Sequence, residues 1–220
     1  MKVLFSSLGK KIQVAFSGIL LATFLVFHLM NNLVLFSGPE SFNQMVSFLD
    51  SIKPLVRIME AGLTLVLLLH TINALKLTYE NRQLRLQGYD VSNTKSSTIS
   101  SRTMAISGSI ILLFIFIHLG YIWWTYQTHN FLYIDETYYD VILRSQLGYL
   151  NHTPTAVFYI IAIFFIGFHL KHGYQSSLKT FGVQNLNSGK ILYGLGFLFW
   201  GLIPFGFILI VISIKLGCIH

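Results

Sequence analysis

Along this chain apolar and polar positions are sorted into blocks. Five long apolar runs, at about 12–36, 55–77, 104–126, 155–178 and 191–214, are separated by short polar segments. Runs of about 20 residues, at about 1.5 Å of rise each, are what an α-helix needs to cross roughly 30 Å of hydrocarbon. The pattern predicts one all-α domain over residues 1–220, an integral membrane bundle of five transmembrane helices. Four of the runs also carry an imidazole well inside: His28 in LATFLVFHLMNNL, His70 in LTLVLLLHTI, His118 in IILLFIFIHLG and His169 in IIAIFFIGFHL. An ionisable group inside a spanning segment is costly and marks a functional position.

Composition agrees with the pattern. Hydrophobic residues make up 54% and charged residues 10%, with a mean hydropathy of +0.64, which excludes an ordinary soluble domain. The opening MKVLFSSLGKK resembles the charged leader of a signal peptide, but the following run is too long and lacks a small-residue cleavage site, so a retained first helix is expected. One cysteine, Cys218, allows no internal disulfide, and with no CxxCH motif any haem would be b-type.

The net charge of +7 reads as topology rather than nucleic-acid binding, because the cations are unevenly placed. With the N-terminus in the cytoplasm, the inner face receives Lys2, Lys10, Lys11, Lys76, Arg82, Arg85, Lys95, Arg102, Lys171, Lys179 and Lys190, and the outer face only Lys53, Arg57, Arg144 and Lys215. That asymmetry predicts N-terminus inside and C-terminus outside. An amphipathic cap is expected between Gly38-Pro39 and Pro54, a polar basic inner loop over 79–101, and a Tyr-rich outer loop over 127–154.

Orientation gives each histidine a depth. His28 and His118 fall roughly 21 to 24 Å from the inner surface, and His70 and His169 about 20 to 23 Å from the outer one. The two levels lie roughly 12 to 16 Å apart. Two imidazoles at each of two levels are what axial ligation of two haems requires, since facing helices supply one nitrogen to either side of each iron. Ser17, Gly18, Gly62, Gly108 and Gly167 are small enough to let a backbone or a macrocycle approach. His172 competes with His169 by spacing, but its depth places it nearer the interface, beside Lys171, where it or Arg102 could meet a haem propionate. His129, His152 and His220 fall in loops or at the terminus.

SGILLATFLVFHLMNNL, FNQMVSFLDSIKPLVRIMEAGLTLVLLLHTINALKLTYENRQLR and FHLKHGYQSS resemble segments of the di-haem cytochrome b membrane anchors of succinate:menaquinone oxidoreductases and fumarate reductases, the five-helix, single-anchor type. The likeness extends over nearly the whole chain. It implies haem ligands His28 with His118 and His70 with His169, the last chosen over His172 because the family's ligand precedes a glycine by four positions. It also implies two haem b groups, menaquinone as substrate, and flavoprotein and iron-sulfur partners on the cytoplasmic face of a bacterial cytoplasmic membrane. Gly167 stands where some relatives of this kind carry a glutamate proposed to move protons, so the resemblance carries no such path here.

Nothing in the sequence resembles a flavin fold or the cysteine clusters of iron-sulfur centres, so dicarboxylate chemistry would belong to the partners. Spacing alone supports a transmembrane di-haem electron carrier, a description that also fits the cytochrome b of a hydrogenase or formate dehydrogenase. A histidine-lined transporter is the reading from another class. A quinone head needs a hydrogen-bonding cavity with a proton donor or acceptor, and Asn31, Asn32, Asp50 and Glu60 are the outer candidates. For Glu60 a local ion pair with Arg57, three residues earlier, stands as an equal alternative. The inner alternative for the quinone uses Ser101, Arg102 or Lys171.

Overall fold

A computed structural model describes residues 6–86, 99–183 and 189–220. Among these residues there is no strand, and five helical segments are long and apolar enough to cross a membrane: Ser7–Ser37, Lys53–Gln83, Met104–Thr128, Thr153–Thr180 and Ile191–Lys215.

Helix α1 (Ser7–Leu33) starts where the Ser6 hydroxyl accepts the Gly9 amide at 3.1 Å, and it ends in a 3-10 turn, Val34–Ser37. Gly38, at φ +88°, reverses the chain so that Pro39 can open α2 (Pro39–Ser51). The expected amphipathic cap is α2, which buries Phe42 and Val46 and exposes Phe48. Helix α3 (Lys53–Leu86) follows.

The polar basic loop expected over 79–101 is shorter than that, because α3 runs on to Leu86 and α4 (Ile99–His118) begins before its apolar run. The end of α3 is rich in Leu, Glu, Arg and Gln, all strong helix formers. Glu80 also pairs with Lys10 of α1 there, so the helix has no reason to stop where the apolar block stops. Residues 87–98 of that loop, with Lys95, lie outside the described residues, as do the side chains of Arg85, Ser101, Arg102 and Lys190.

Helix α4 passes through a π-helical turn, Leu119–Trp123, into α5 (Trp124–Thr128). The Tyr-rich loop folds around the short α6 (Tyr138–Ile142), capped by reciprocal Thr137 and Asp140 bonds. Helix α7 (Thr153–Thr180) is followed by α8 (Gly189–Phe197), a second π turn, Leu198–Leu202, and α9 (Ile203–Lys215).

Helix α7 is the hub of the bundle, packing against α1, α4 and α9. It can do so because it presents Ala156, Tyr159, Ala162 and Ile163 inward, and Ala162 is fully buried. Helices α1 and α3 pair with each other, as do α4 and α7. The dense core lies at one end of the molecule, where Leu35, Phe42, Val46, Tyr139 and Ile142 meet Tyr159, Ile210, Val211 and Ile214. Along α1, α3 and α4 large apolar side chains such as Phe16, Leu65, Leu69, Leu113 and Phe116 stay exposed, as expected of surfaces whose solvent is lipid.

Candidate haem-ligand site

The structure brings the four intramembrane histidines together as two pairs. His28 of α1 faces His118 of α4 with ring centroids 5.7 Å apart, and His70 of α3 faces His169 of α7 with centroids 6.3 Å apart. The levels of the pairs are set by α1, whose Ser17 touches His70 eleven residues before His28, about 16 Å along the axis. The same interval separates Ser107, against His169, from His118.

Each imidazole is held by its surroundings. His70 Nδ1 lies 3.2 Å from Ser17 Oγ and 3.2 Å from the Val14 carbonyl, while His169 Nδ1 lies 3.3 Å from Ser107 Oγ. Gly18 and Gly108, each next to its serine, leave room for these rings. A Cβ on Gly18 would stand 3.2 Å from His70 Cε1, and one on Gly108 3.5 Å from His169 Cε1. The other pair is dressed differently: Phe24 stacks on His28 at 5.4 Å, Phe114 on His118 at 5.6 Å, Phe207 lies 5.5 Å from His28, and Tyr159 Oη is 3.3 Å from His118 Nδ1.

These contacts expose a repeat that the histidine spacing only hinted at. SGILLATFLVFH in α1 and SGSIILLFIFIH in α4 share Ser, Gly, Phe and His in identical register. In both copies the phenylalanine stacks on the histidine four residues later, and the serine and glycine touch a histidine of the neighbouring helix. Ser107, Phe24 and Phe114 were therefore findable in part by aligning α1 with α4. Tyr159 carries no such signal.

The residues fit a haem. Two imidazoles bonded to one metal from opposite sides at about 2 Å each place their ring centres roughly 6 Å apart. No group of three or more His, Cys, Asp or Glu side chains stands together among the described residues, so each site offers two protein ligands and suits an iron whose other ligands come from a macrocycle. Protein atoms leave all four rings only half-buried, so space remains beside them.

The other predicted residues are scattered around this axis. His172 is half-buried on α7. Lys171 lies over the Trp200 ring at 4.8 Å. A cleft of about 500 Å³ between α1 and α3 opens beside His70, lined by Lys10, Gln13, Leu69, Ile72, Asn73, Lys76 and Glu80. Asn73 donates there to Gln13 at 2.9 Å.

At the other end Arg57 pairs with Glu60 at 2.7 Å, the local ion pair that spacing allowed. Glu60 does more than that, however, since it also accepts from Trp123 Nε1 at 2.9 Å and from Gln127 Nε2 at 3.4 Å, and Arg57 bonds Gln127. Asp50 accepts from Tyr126 at 3.0 Å and lies 3.4 Å from Lys53. Asn32 donates to the His28 carbonyl at 2.8 Å, and Asn31 is exposed. Of these partners, Gln127 opens the Tyr-rich loop expected over 127–154. The π turn after His118 shifts the helical register, so Trp123 and Gln127 face Glu60 of α3 and Tyr126 faces Asp50 of α2, while His118 faces α1.

Compared with family models, curated proteins and solved structures, the chain matches none.

Proposed function

We propose that this chain is the membrane anchor and electron-transfer subunit of a succinate dehydrogenase or fumarate reductase complex, carrying electrons between an iron-sulfur subunit and menaquinone. The single observation that carries the two-haem reading is the pairing of four intramembrane imidazoles into two facing sets, at 5.7 and 6.3 Å, and the choice of a succinate or fumarate complex rests on the resemblance of the quoted segments. In this reading His28 and His118 hold one b haem and His70 and His169 the other, and the N-terminus lies in the cytoplasm of a bacterial cell. Each haem, when bound, supplies a one-electron carrier.

The chain's own residues do the rest. Gly18 and Gly108 admit the imidazoles, and Phe24 and Phe114 fix two of the rings by stacking. His172, Lys171 and Arg102 stand as the groups for propionates at the cytoplasmic side. Near the outer pair Glu60 would hold or release the quinone's proton, with Trp123 and Gln127 orienting its carboxylate, and Asp50 with Tyr126 is the neighbouring polar group. Flavoprotein and iron-sulfur partners dock on the inner face through segments 79–102 and 171–190.

A pyridine haemochrome assay and a reduced-minus-oxidised spectrum of the purified chain test the reading, with two b haems per polypeptide expected. A colourless protein overturns it and leaves the transporter reading. Recovery with a hydrogenase or formate dehydrogenase catalytic subunit, in place of a flavoprotein, overturns the complex assignment while keeping the haems.

A further inference from the structure

Ser17 and Ser107 occupy the same place in the two copies of the repeat, and the decisive detail is where each hydroxyl sends its own proton. Ser17 Oγ lies 2.6 Å from the Gln13 carbonyl, and Ser107 Oγ lies 3.0 Å from the Met104 carbonyl. A carbonyl only accepts, so each hydroxyl donates back into its own helix and turns a lone pair toward the imidazole. The hydrogen between serine and histidine must then come from Nδ1. At His70 the Val14 carbonyl, also 3.2 Å from Nδ1, imposes the same direction. With its proton on Nδ1, each ring keeps the free lone pair on Nε2, the nitrogen available to a metal.

The pair of His28 and His118 lacks this arrangement. His118 Nδ1 meets the phenol of Tyr159, and His28 is packed between Phe24 and Phe207. An acceptor on the outer nitrogen of a ligating imidazole raises its basicity as a ligand, and a more basic axial ligand favours the oxidised metal.

We propose that Ser17 and Ser107 are positioning residues that lock His70 and His169 in the Nε2-ligating tautomer and hold the haem between them at a lower midpoint potential than it would have without them. The inference rests on the two-haem reading above. It adds what that reading does not contain, a residue-level control of one haem by two serines that never touch iron.

The test is a redox titration of the purified full chain with its haems, followed by absorbance, for the unaltered protein and for Ser17→Ala, Ser107→Ala, the double variant and the Ser→Thr pair. His169→Ala identifies which transition belongs to which haem. Expected is a rise in the potential of the haem between His70 and His169, reaching about tenfold in its one-electron equilibrium in the double variant, or about 59 mV. The other haem should not move, and threonine, which keeps the hydroxyl, should restore the original value. Both haems retained with unmoved potentials, or equal shifts in both, overturns the inference. If the double variant fails to hold that haem, the single variants decide by the same criterion. A chain that binds no haem overturns the two-haem reading itself, a result distinct from either.

Discussion

The two histidine pairs sit in unlike surroundings although the same repeat, in α1 and α4, supplies one pair and touches the other. His70 and His169 are held through their Nδ1 atoms by serine hydroxyls and a backbone carbonyl, beside a cleft that carries Lys10, Lys76 and Glu80. His28 and His118 are held by aromatic rings, near the end of the bundle that α2, α6 and α9 pack into a core. One pair is fixed by hydrogen bonds at both rings, and the other chiefly by ring packing, with Tyr159 Oη 3.3 Å from His118 Nδ1. A ligand fixed by hydrogen bonds can be tuned electronically, whereas a ligand fixed by packing depends on how firmly its end of the bundle is closed.

The largest expected effect breaks the comparison outright. His169→Ala should halve the haem content and leave the His28 and His118 haem spectrally intact, and His28→Ala should do the converse. Quantifying haem per polypeptide in both variants checks it, and loss of both haems from either one would show that the pairs are not independent.

The next effect concerns the closure of the end that holds His28 and His118. In the Tyr-rich loop Arg144 binds Glu136 at 2.6 and 2.7 Å, both side chains being 5% exposed, and reaches the Tyr149 hydroxyl and the Asn130 carbonyl at 2.9 Å each. Removing one partner of a buried, hydrogen-bonded pair costs about 3 kcal/mol. Arg144→Met should therefore lower the thermal midpoint and release the His28 and His118 haem before the other, as read by haem-band absorbance during melting. The pair also gives a pH dependence. The Arg144 guanidinium holds the Glu136 carboxyl below the usual carboxylate range, so its contribution is complete above the ordinary carboxylate pKa and disappears as pH falls through the depressed value. Acid melts of Arg144→Met and of the unaltered protein should converge below that range.

Glu60→Gln sharpens the comparison at the same end, since it keeps a side-chain oxygen for Trp123 and Gln127 while removing the carboxylate. Quinone turnover should fall about 100-fold with both haems retained, and unchanged kinetics would reduce Glu60 to the partner of Arg57. The smallest effect belongs to His172→Ala. Lying about 4.5 Å along α7 from His169, its removal should keep both haems and at most shift the potential of the His70 and His169 haem. If His172→Ala loses a haem and His169→Ala keeps both, the register of α7 is wrong.

The apolar blocks and the turn residues between them determined the number of long apolar helices, the existence of the amphipathic cap and the place of each histidine along its helix, because length and polarity along a helix are local properties read directly from residue order. What no block could decide is rotation about each helix axis. That Ser107 meets His169 while His118 turns toward α1, and that Trp123 and Gln127 reach Glu60 across to α3, follows from helix packing and from the π turn at Leu119–Trp123. The ends of α3 and α4 were likewise invisible, because hydropathy marks where the lipid stops and hydrogen bonding marks where the helix does. A helix face is defined only by what it packs against, and those partners lie far away in sequence.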